Sequence, residues 1–238
     1  EANPGTVTEE KLEGWKQAGI NRISFGLQSV NNEELKMLGR IHTYEEFRES
    51  YDMARQAGFD NINIDLISAI PGQTVKSWEH TLRTVAELHP EHISAYSLII
   101  EEGTPFYEKY EDHPELLPPE EEERQMYHDT KRILHEHGYE RYEISNYARA
   151  GYACRHNLGY WERKEYKGFG LGSASLLENR RYTNTCELKQ YLQGRIRGTE
   201  EELSEQDIRE ETFFLGLRKM EGIDPGPYRA HYEKLLEK

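Results

Sequence analysis

The feature that most constrains the fold is a repeated unit in which a helical segment is followed by a short strand segment. A capping Thr8, acidic residues in the first turn and a closing Gly19 predict the first helix, and alternating apolar residues predict a strand over 20–26. The same unit then returns along the chain. Further helices are predicted at 43–58, 77–88 and 118–138, and their strands at 62–66, 92–98 and 141–144.

Helices alternating with short strands indicate βαβ units, because parallel strands have to be joined by long crossover connections. The sequence therefore predicts an α/β fold with a parallel sheet, and a partial or complete (β/α) barrel fits the repeat best. In such barrels the functional side chains lie at the carboxyl ends of the strands and in the loops that follow. A doubly wound sheet obeys a similar rule, so the location of the site does not depend on the choice between them.

The repeat ends after Ile144, where a stretch rich in glycine and aromatic residues begins. A hairpin is predicted over 176–182, and polar helical segments follow it. We expect one domain over 1–195, which contains the barrel core, and the start of a small, mainly helical C-terminal domain over 196–238.

Four polar residues fall where a barrel would present them at its mouth: Glu1, Gln28, Arg40 and Asp65. Carboxylates can hold ribose hydroxyls, an amide can bond another polar edge, and arginine can pair with a carboxylate as a fork. Together these groups suit a nucleoside that carries an amino acid. The alternative from spacing alone is structural: Asp65 caps a loop, Arg40 forms a surface ion pair and Gln28 is solvated.

Charge and composition exclude several classes of partner. With 30 Lys and Arg residues against 44 Asp and Glu residues, the net charge is −14, which disfavours nucleic acid and anionic membrane surfaces. No apolar stretch approaches the length of a membrane span, and residues 1–5 do not resemble a signal peptide, so we expect a cytoplasmic protein. Cys154 and Cys186 are too few for a disulfide framework or a four-thiolate cluster site.

Several ordered motifs together resemble the radical S-adenosylmethionine (SAM) family of oxygen-independent coproporphyrinogen III oxidases and their heme-chaperone relatives. The resemblance runs from Glu1 to Ser175 in the family's order and is specific as a set. The segments that carry it are Glu1-x-Asn3-Pro4, residues 19–29, Leu38-Gly39-Arg40, residues 63–67 with Pro71-Gly72-Gln73-Thr74, and residues 92–98 with Glu101-Glu102-Gly103-Thr104.

The resemblance implies a partial barrel of the radical SAM type, with Glu1, Gln28, Arg40 and Asp65 as its SAM contacts. It also implies a [4Fe-4S] cluster, which the family holds with Cys-x-x-x-Cys-x-x-Cys on the loop after its first strand. That motif is absent here. We therefore expect a barrel that is incomplete at its N-terminus and a chain that neither binds the cluster nor cleaves SAM by itself.

The segment Cys154-Arg155-His156-Asn157-Leu158-Gly159-Tyr160-Trp161 is the most unusual in the chain. A neutral imidazole is a good axial ligand for heme iron, and Tyr160 and Trp161 offer flat surfaces to a porphyrin. The structural alternative is a histidine that caps a helix above core aromatic residues. His-Asn-x-x-Tyr-Trp is similar to the motif that marks the heme-chaperone branch, which implies His156 as ligand to the heme iron.

Three functional readings follow from the resemblance. The first is a carrier that binds heme and passes it to heme-accepting target proteins, as a monomer or a homodimer. The second is an oxidase that acts on a porphyrinogen, converting coproporphyrinogen III to protoporphyrinogen IX. The third is an inactive fragment whose open strand edge leads to self-association. His156 and its motif favour the carrier.

Overall fold

The computed structural model describes residues 1–236 and divides into two compact units. The first unit is Glu1–Ala153, and the second begins at Cys154. This division lies upstream of the boundary at 195/196 that the sequence predicts, and the two-domain assignment stays a prediction. Within the described residues, no helix combines the length and apolar character that crossing a bilayer requires.

The first unit is built on a five-stranded sheet whose strands lie in the order β1-β2-β3-β5-β4. The first three strands are parallel, and β5 then pairs antiparallel with both β3 and β4. Ala2 adds a parallel bridge to Phe25 on the outer edge of β1. The strands are β1 (Ile23–Gln28), β2 (Ile62–Ser68), β3 (His92–Ser97), β4 (Glu140–Arg141) and β5 (Asn146–Ala148).

Six helices accompany this sheet, and the longest of them begin close to where the sequence predicts. Thr8, Thr43 and Thr74 cap the helices that follow them, and the last two form complete capping boxes. The helices are α1 (Glu9–Gln17), α2 (Asn32–Met37), α3 (Tyr44–Gln56), α4 (Val75–Ala86), α5 (Pro105–Tyr110) and α6 (Glu120–Glu136).

The two faces of the parallel strands differ in chemistry. Alternate residues such as Phe25, Ile64 and Ile93 are fully buried in a hydrophobic core with helix residues such as Trp78. The intervening positions carry polar side chains, because successive residues of a strand point to opposite faces. The core face holds the helices, which leaves the polar face and the carboxyl ends of the strands for a ligand.

The second unit combines helices with a three-stranded antiparallel sheet in the order β6-β7-β8. The predicted hairpin is confirmed: Glu178 and Asn179 join its strands with φ angles of 51° and 58°, as a type I′ turn requires. The elements are α7 (Arg155–Trp161), β6 (Ala174–Leu177), β7 (Arg180–Asn184), α8 (Leu188–Leu192), β8 (Arg197–Glu202), α9 (Glu205–Gly216) and α10 (Arg229–Leu236).

The structure confirms an α/β fold with a partial parallel barrel, and over the described residues the sheet does not close. It differs from the repeat in one respect, since the segment after α6 forms two short antiparallel strands instead of a fourth parallel strand. Only a tight turn separates β4 from β5, and such a connection is too short for a crossover. A second difference is strand β8, which lies where the sequence predicts only helical segments.

Candidate functional site

The four strand-end residues that the sequence singles out line one cavity. Glu1, Gln28, Arg40 and Asp65 share a volume of about 370 Å³ in the first unit. The remaining wall is formed by Ala2, Asn3, Ser24 and Gly26. A space of this size falls within the range of roughly 300–1,000 Å³ that small-molecule and cofactor sites occupy.

Gln28 ends β1 in an unusual backbone conformation. Its φ angle is 76°, in the left-handed region, and the register between β1 and β2 shifts between Phe25 and Gln28. Such conformations are uncommon for residues other than glycine and recur at functional sites. Gly26 lies beside it, and a Cβ atom there would stand 3.0 Å from the Gln28 Nε2 atom. The absence of a side chain at Gly26 therefore leaves room for the Gln28 amide at the cavity wall.

Arg40 is positioned by the way in which α2 ends. Gly39 takes a φ angle of 70°, and the N–H groups of Gly39 and Arg40 donate to the carbonyl oxygens of Lys36 and Leu35. These two bonds form a Schellman motif, which turns the chain sharply at the end of a helix. The turn brings the guanidinium of Arg40 to the cavity, where it supplies positive charge opposite the carboxylates of Glu1 and Asp65.

Asp65 is held by donors on both of its carboxylate oxygens. Ser24 Oγ donates to Oδ2 at 2.9 Å, and Asn63 Nδ2 donates to Oδ1 at 2.8 Å. Asn63 Nδ2 also contacts Ser24 Oγ at 2.7 Å, so the three side chains form one network on the polar face of the sheet. Each oxygen of an ionised carboxylate can accept more than one hydrogen bond. Asp65 therefore retains acceptor capacity for a ligand in the cavity.

His92 extends this network into the interior of the sheet. The side chain is 1% exposed; its Nδ1 lies 2.5 Å from Asn63 Oδ1, and its Nε2 lies 2.8 Å from the Tyr142 hydroxyl. Since Asn63 uses its nitrogen to donate elsewhere, Nδ1 is the protonated nitrogen and Nε2 accepts from Tyr142. Burial lowers the pKa of His92 to about 3, with a smaller contribution from the positive charge of Arg22. His92 is therefore a neutral group that holds Asn63 in place.

The second predicted cluster lies on α7 in the second unit. His156 is exposed, and its ring meets the Tyr160 ring edge to face with a centroid separation of 4.7 Å. Tyr160 meets Tyr166 in the same geometry, also at 4.7 Å. Trp161 lies instead beneath the Arg218 guanidinium, whose carbon is 4.4 Å from the ring centroid. The structure thus brings His156 and Tyr160 together, while Trp161 faces a different neighbour.

Cluster ligands are not found among the residues that the structure describes. No group of three or more His, Cys, Asp or Glu side chains within residues 1–236 is arranged to hold a metal ion. Cys154 precedes α7 and Cys186 lies between β7 and α8. The residues of this chain therefore fit SAM, with its amino acid and ribose groups, but do not fit the three-thiolate site that a [4Fe-4S] cluster needs.

Sequence reasoning missed several residues of the site. Ser24 lines the cavity, Asn63 donates a hydrogen bond to Asp65, and His92 in turn contacts Asn63. The available signal was strand alternation, because Ser24 opposes Asn63 on β2, which in turn opposes His92 on β3. Polar residues at paired positions of adjacent buried strands indicate a functional face of the sheet.

Comparison with known proteins shows which proteins the chain is similar to. Residues 1–85 match the model of the radical SAM superfamily. The chain is 40% identical to the heme chaperone HemW of Bacillus subtilis over 100% of its own length and 64% of that protein, and 35% identical to HemW of Escherichia coli over 93% and 59%. The chain thus spans about 60% of the length of these curated relatives.

The fold has a counterpart among solved structures. The Escherichia coli radical SAM enzyme coproporphyrinogen III oxidase (HemN) superposes with a TM-score of 0.79 at 23% identity, over 98% of this chain and 57% of that one. At this level of identity the likeness establishes the fold alone, whereas the sequence matches to HemW extend along the whole chain. The chain therefore carries a radical SAM match over residues 1–85, and along its length it is similar to the heme chaperone HemW.

Proposed function

We propose that this chain is the SAM-binding and heme-binding part of a radical SAM heme chaperone, which binds heme and delivers it to target proteins. The observation that carries the proposal is the exposed imidazole of His156, packed against Tyr160 on α7. The names of the curated relatives support the same reading. A cytoplasmic location and a homodimer belong to the same proposal.

The heme proposal assigns a separate role to each side chain of the α7 cluster. Because the His156 side chain is exposed, a ring nitrogen can reach the iron of a porphyrin on the protein surface without disturbing a packed core. Tyr160 fixes the ring through their edge-to-face contact and adds an apolar surface of its own. The iron would thus have an imidazole ligand whose orientation the helix already sets.

The SAM proposal rests on the donor and acceptor set of the strand-end cavity. Arg40 would pair with the carboxylate of the ligand, since a guanidinium binds a carboxylate with two parallel hydrogen bonds. Glu1 and Asp65 would accept from its ammonium and ribose hydroxyl groups, and Gln28 would bond a further polar edge. Bound at a [4Fe-4S] cluster, SAM supplies radical chemistry. The cysteines that hold the cluster are not among the residues of this chain.

The oxidase reading remains the second candidate, and its support is weaker. It rests on the fold that the chain shares with coproporphyrinogen III oxidase at 23% identity. A protein of this fold can host different functions, because function depends on the residues of the site. The α7 cluster favours the carrier, since an axial ligand is needed to hold heme iron, whereas a porphyrinogen contains no iron.

A hemin titration of this chain, followed by absorbance, tests the proposal. We expect saturable binding with a shifted Soret band, and we expect the His156→Ala variant to bind about tenfold more weakly or worse, as loss of an iron ligand predicts. The matched control is His113→Ala, which removes an exposed histidine of the first unit. Absence of binding, or equal binding by wild type and His156→Ala, would contradict the proposal that His156 ligates heme iron and would leave it a structural residue.

A further inference from the structure

We propose that the second unit contains a subsite for a carboxylate carried on an apolar arm, and that this subsite receives one propionate group of the bound porphyrin. The inference rests on the proposed heme function and extends it, because it names the part of the chain that contacts the periphery of the macrocycle instead of its iron. Four observations within the second unit carry the inference.

The first observation is a cavity with mainly apolar walls. It has a volume of about 240 Å³, and α7, β6 and α9 contribute to it. Tyr160, Tyr166, Leu176 and Leu215 form its apolar wall, and Trp161 closes it from α7. The volume lies below the range of about 300–1,000 Å³ that holds a whole drug-sized ligand, so the cavity suits a side arm better than a macrocycle.

The second observation is a set of cationic side chains in the wall of this cavity. Arg163 Nε donates to Glu211 at 2.8 Å, and Arg181 donates to the other carboxylate oxygen of Glu211. Lys164 is a third cation in the wall, and its ammonium is paired with Glu162. Glu211 is 7% exposed and is shared by the two arginines, and Arg181 also lies 3.8 Å from Glu201. Because the lining itself contains three cations and one carboxylate, an anionic group inside the cavity is favoured over a cationic one.

The third observation is a pair of hydrogen-bond donors without acceptors. Trp161 Nε1 and Arg163 Nη2 are both buried, and neither has an acceptor in the part of the chain that the structure describes. Arg163 also has a φ angle of 51°, because it follows the C-cap residue of α7 in a Schellman motif. Carboxylate oxygens only accept hydrogen bonds, so one carboxylate could serve both donors. Because both nitrogens lie beneath the cavity surface, neighbouring side chains have to shift when the acid group enters.

The fourth observation links the cavity to the iron ligand. Tyr160 forms part of the cavity wall and also packs edge to face against His156, one helical turn earlier on α7. The proposed iron ligand and the proposed propionate subsite therefore both adjoin the Tyr160 side chain. Heme can occupy both places at once, because its iron lies at the centre of a rigid ring. A propionate at the edge of the ring is a short apolar arm that ends in a carboxylate.

Parallel titrations with hemin and with hemin dimethyl ester test the inference, because the ester keeps the iron and the ring but lacks the charged carboxylates. We expect wild type to bind the ester about tenfold more weakly than hemin, as loss of a charge-assisted hydrogen bond predicts. Arg163→Gln should lower hemin affinity by a similar factor and leave ester affinity unchanged. The Soret position should stay the same, since His156 still ligates the iron.

Two further variants keep the result interpretable. Trp161→Phe removes the indole N–H but retains an aromatic ring, and it should show the same selective loss if Arg163→Gln proves unstable. Arg195→Gln removes an exposed cation outside the cavity and should change neither affinity. Equal affinity of wild type for hemin and ester would overturn the propionate subsite and leave heme binding intact. Failure of both ligands to bind would instead overturn the proposed heme function, and the subsite with it.

Discussion

The hydroxyl of Ser24 donates a 2.9 Å hydrogen bond to Asp65 Oδ2 across the pair of parallel strands β1 and β2. Asn63 holds the other oxygen of the same carboxylate, and buried His92 holds Asn63. The orientation of Asp65 is thus fixed before any ligand arrives. Supporting hydrogen bonds of this kind keep a binding group in its productive geometry.

Asp65 provides the first prediction. Asp65→Asn should lower the affinity for SAM by about tenfold or more, because the amide replaces a charged acceptor by a neutral group that is half donor. Isothermal titration calorimetry measures the change. Asp52→Asn, which alters an exposed carboxylate on α3, is the control and should bind as wild type does. Equal affinities for Asp65→Asn and wild type would show that Asp65 does not contact the ligand.

Arg40 provides a prediction about which part of the ligand it binds. Arg40→Met should weaken SAM about tenfold or more but should leave methylthioadenosine unaffected, because that nucleoside lacks the amino acid carboxylate. Competition binding with both compounds separates the two effects. Lys36→Met, which removes an exposed cation of α2, is the control. A loss of the same size for both compounds would place Arg40 elsewhere in the site.

His92 provides a prediction about acid stability. Its pKa is lowered to about 3 in the folded protein, against 6.5 for a solvated histidine side chain, so between these values the unfolded chain binds a proton that the folded protein does not. Stability from this residue is therefore present above the unfolded pKa and is lost as the pH falls. The loss between pH 7 and pH 5 should be about 2 kcal/mol.

Urea unfolding of wild type and His92→Gln at the two pH values checks this prediction. The variant should lose about 2 kcal/mol less than wild type over the interval, whatever its stability at pH 7. His113→Gln, at an exposed histidine, should behave as wild type does. If His92→Gln and wild type lose the same free energy of unfolding, then His92 is protonated in the folded protein as readily as in the unfolded chain.

The parallel part of the fold could be predicted from the sequence because its signals are local. Thr43 and Thr74 cap their helices where the sequence places them, and alternating residues mark β2 and β3. Strand β8 carries no such alternation, since all of its side chains are exposed. It is defined by its partner strand, where Arg180 faces Glu202 and Arg181 faces Glu201. Such cross-strand pairs become visible only once the register is known.

The candidate site also combines residues that could be predicted from the sequence with features that could not. Gln28, Arg40 and Asp65 could be predicted from their places at strand and helix ends and from the family resemblance, and the structure brings them together with Glu1. The left-handed backbone of Gln28 could not be predicted, because it depends on the irregular pairing of β1 with β2. The cavity beside α7 could not be predicted either, because the residues that line it come from segments separated by dozens of residues.

Chemical rescue of a His156 variant tests the proposed ligation of heme iron by this residue. The change is His156→Gly, with the absorbance spectrum of the hemin complex recorded before and after addition of imidazole. We expect that the variant loses the Soret position of wild type and that free imidazole restores it, because the added ring fills the space of the missing side chain and binds the iron. A His156→Gly complex whose spectrum already equals that of wild type, with no response to imidazole, would contradict the claim.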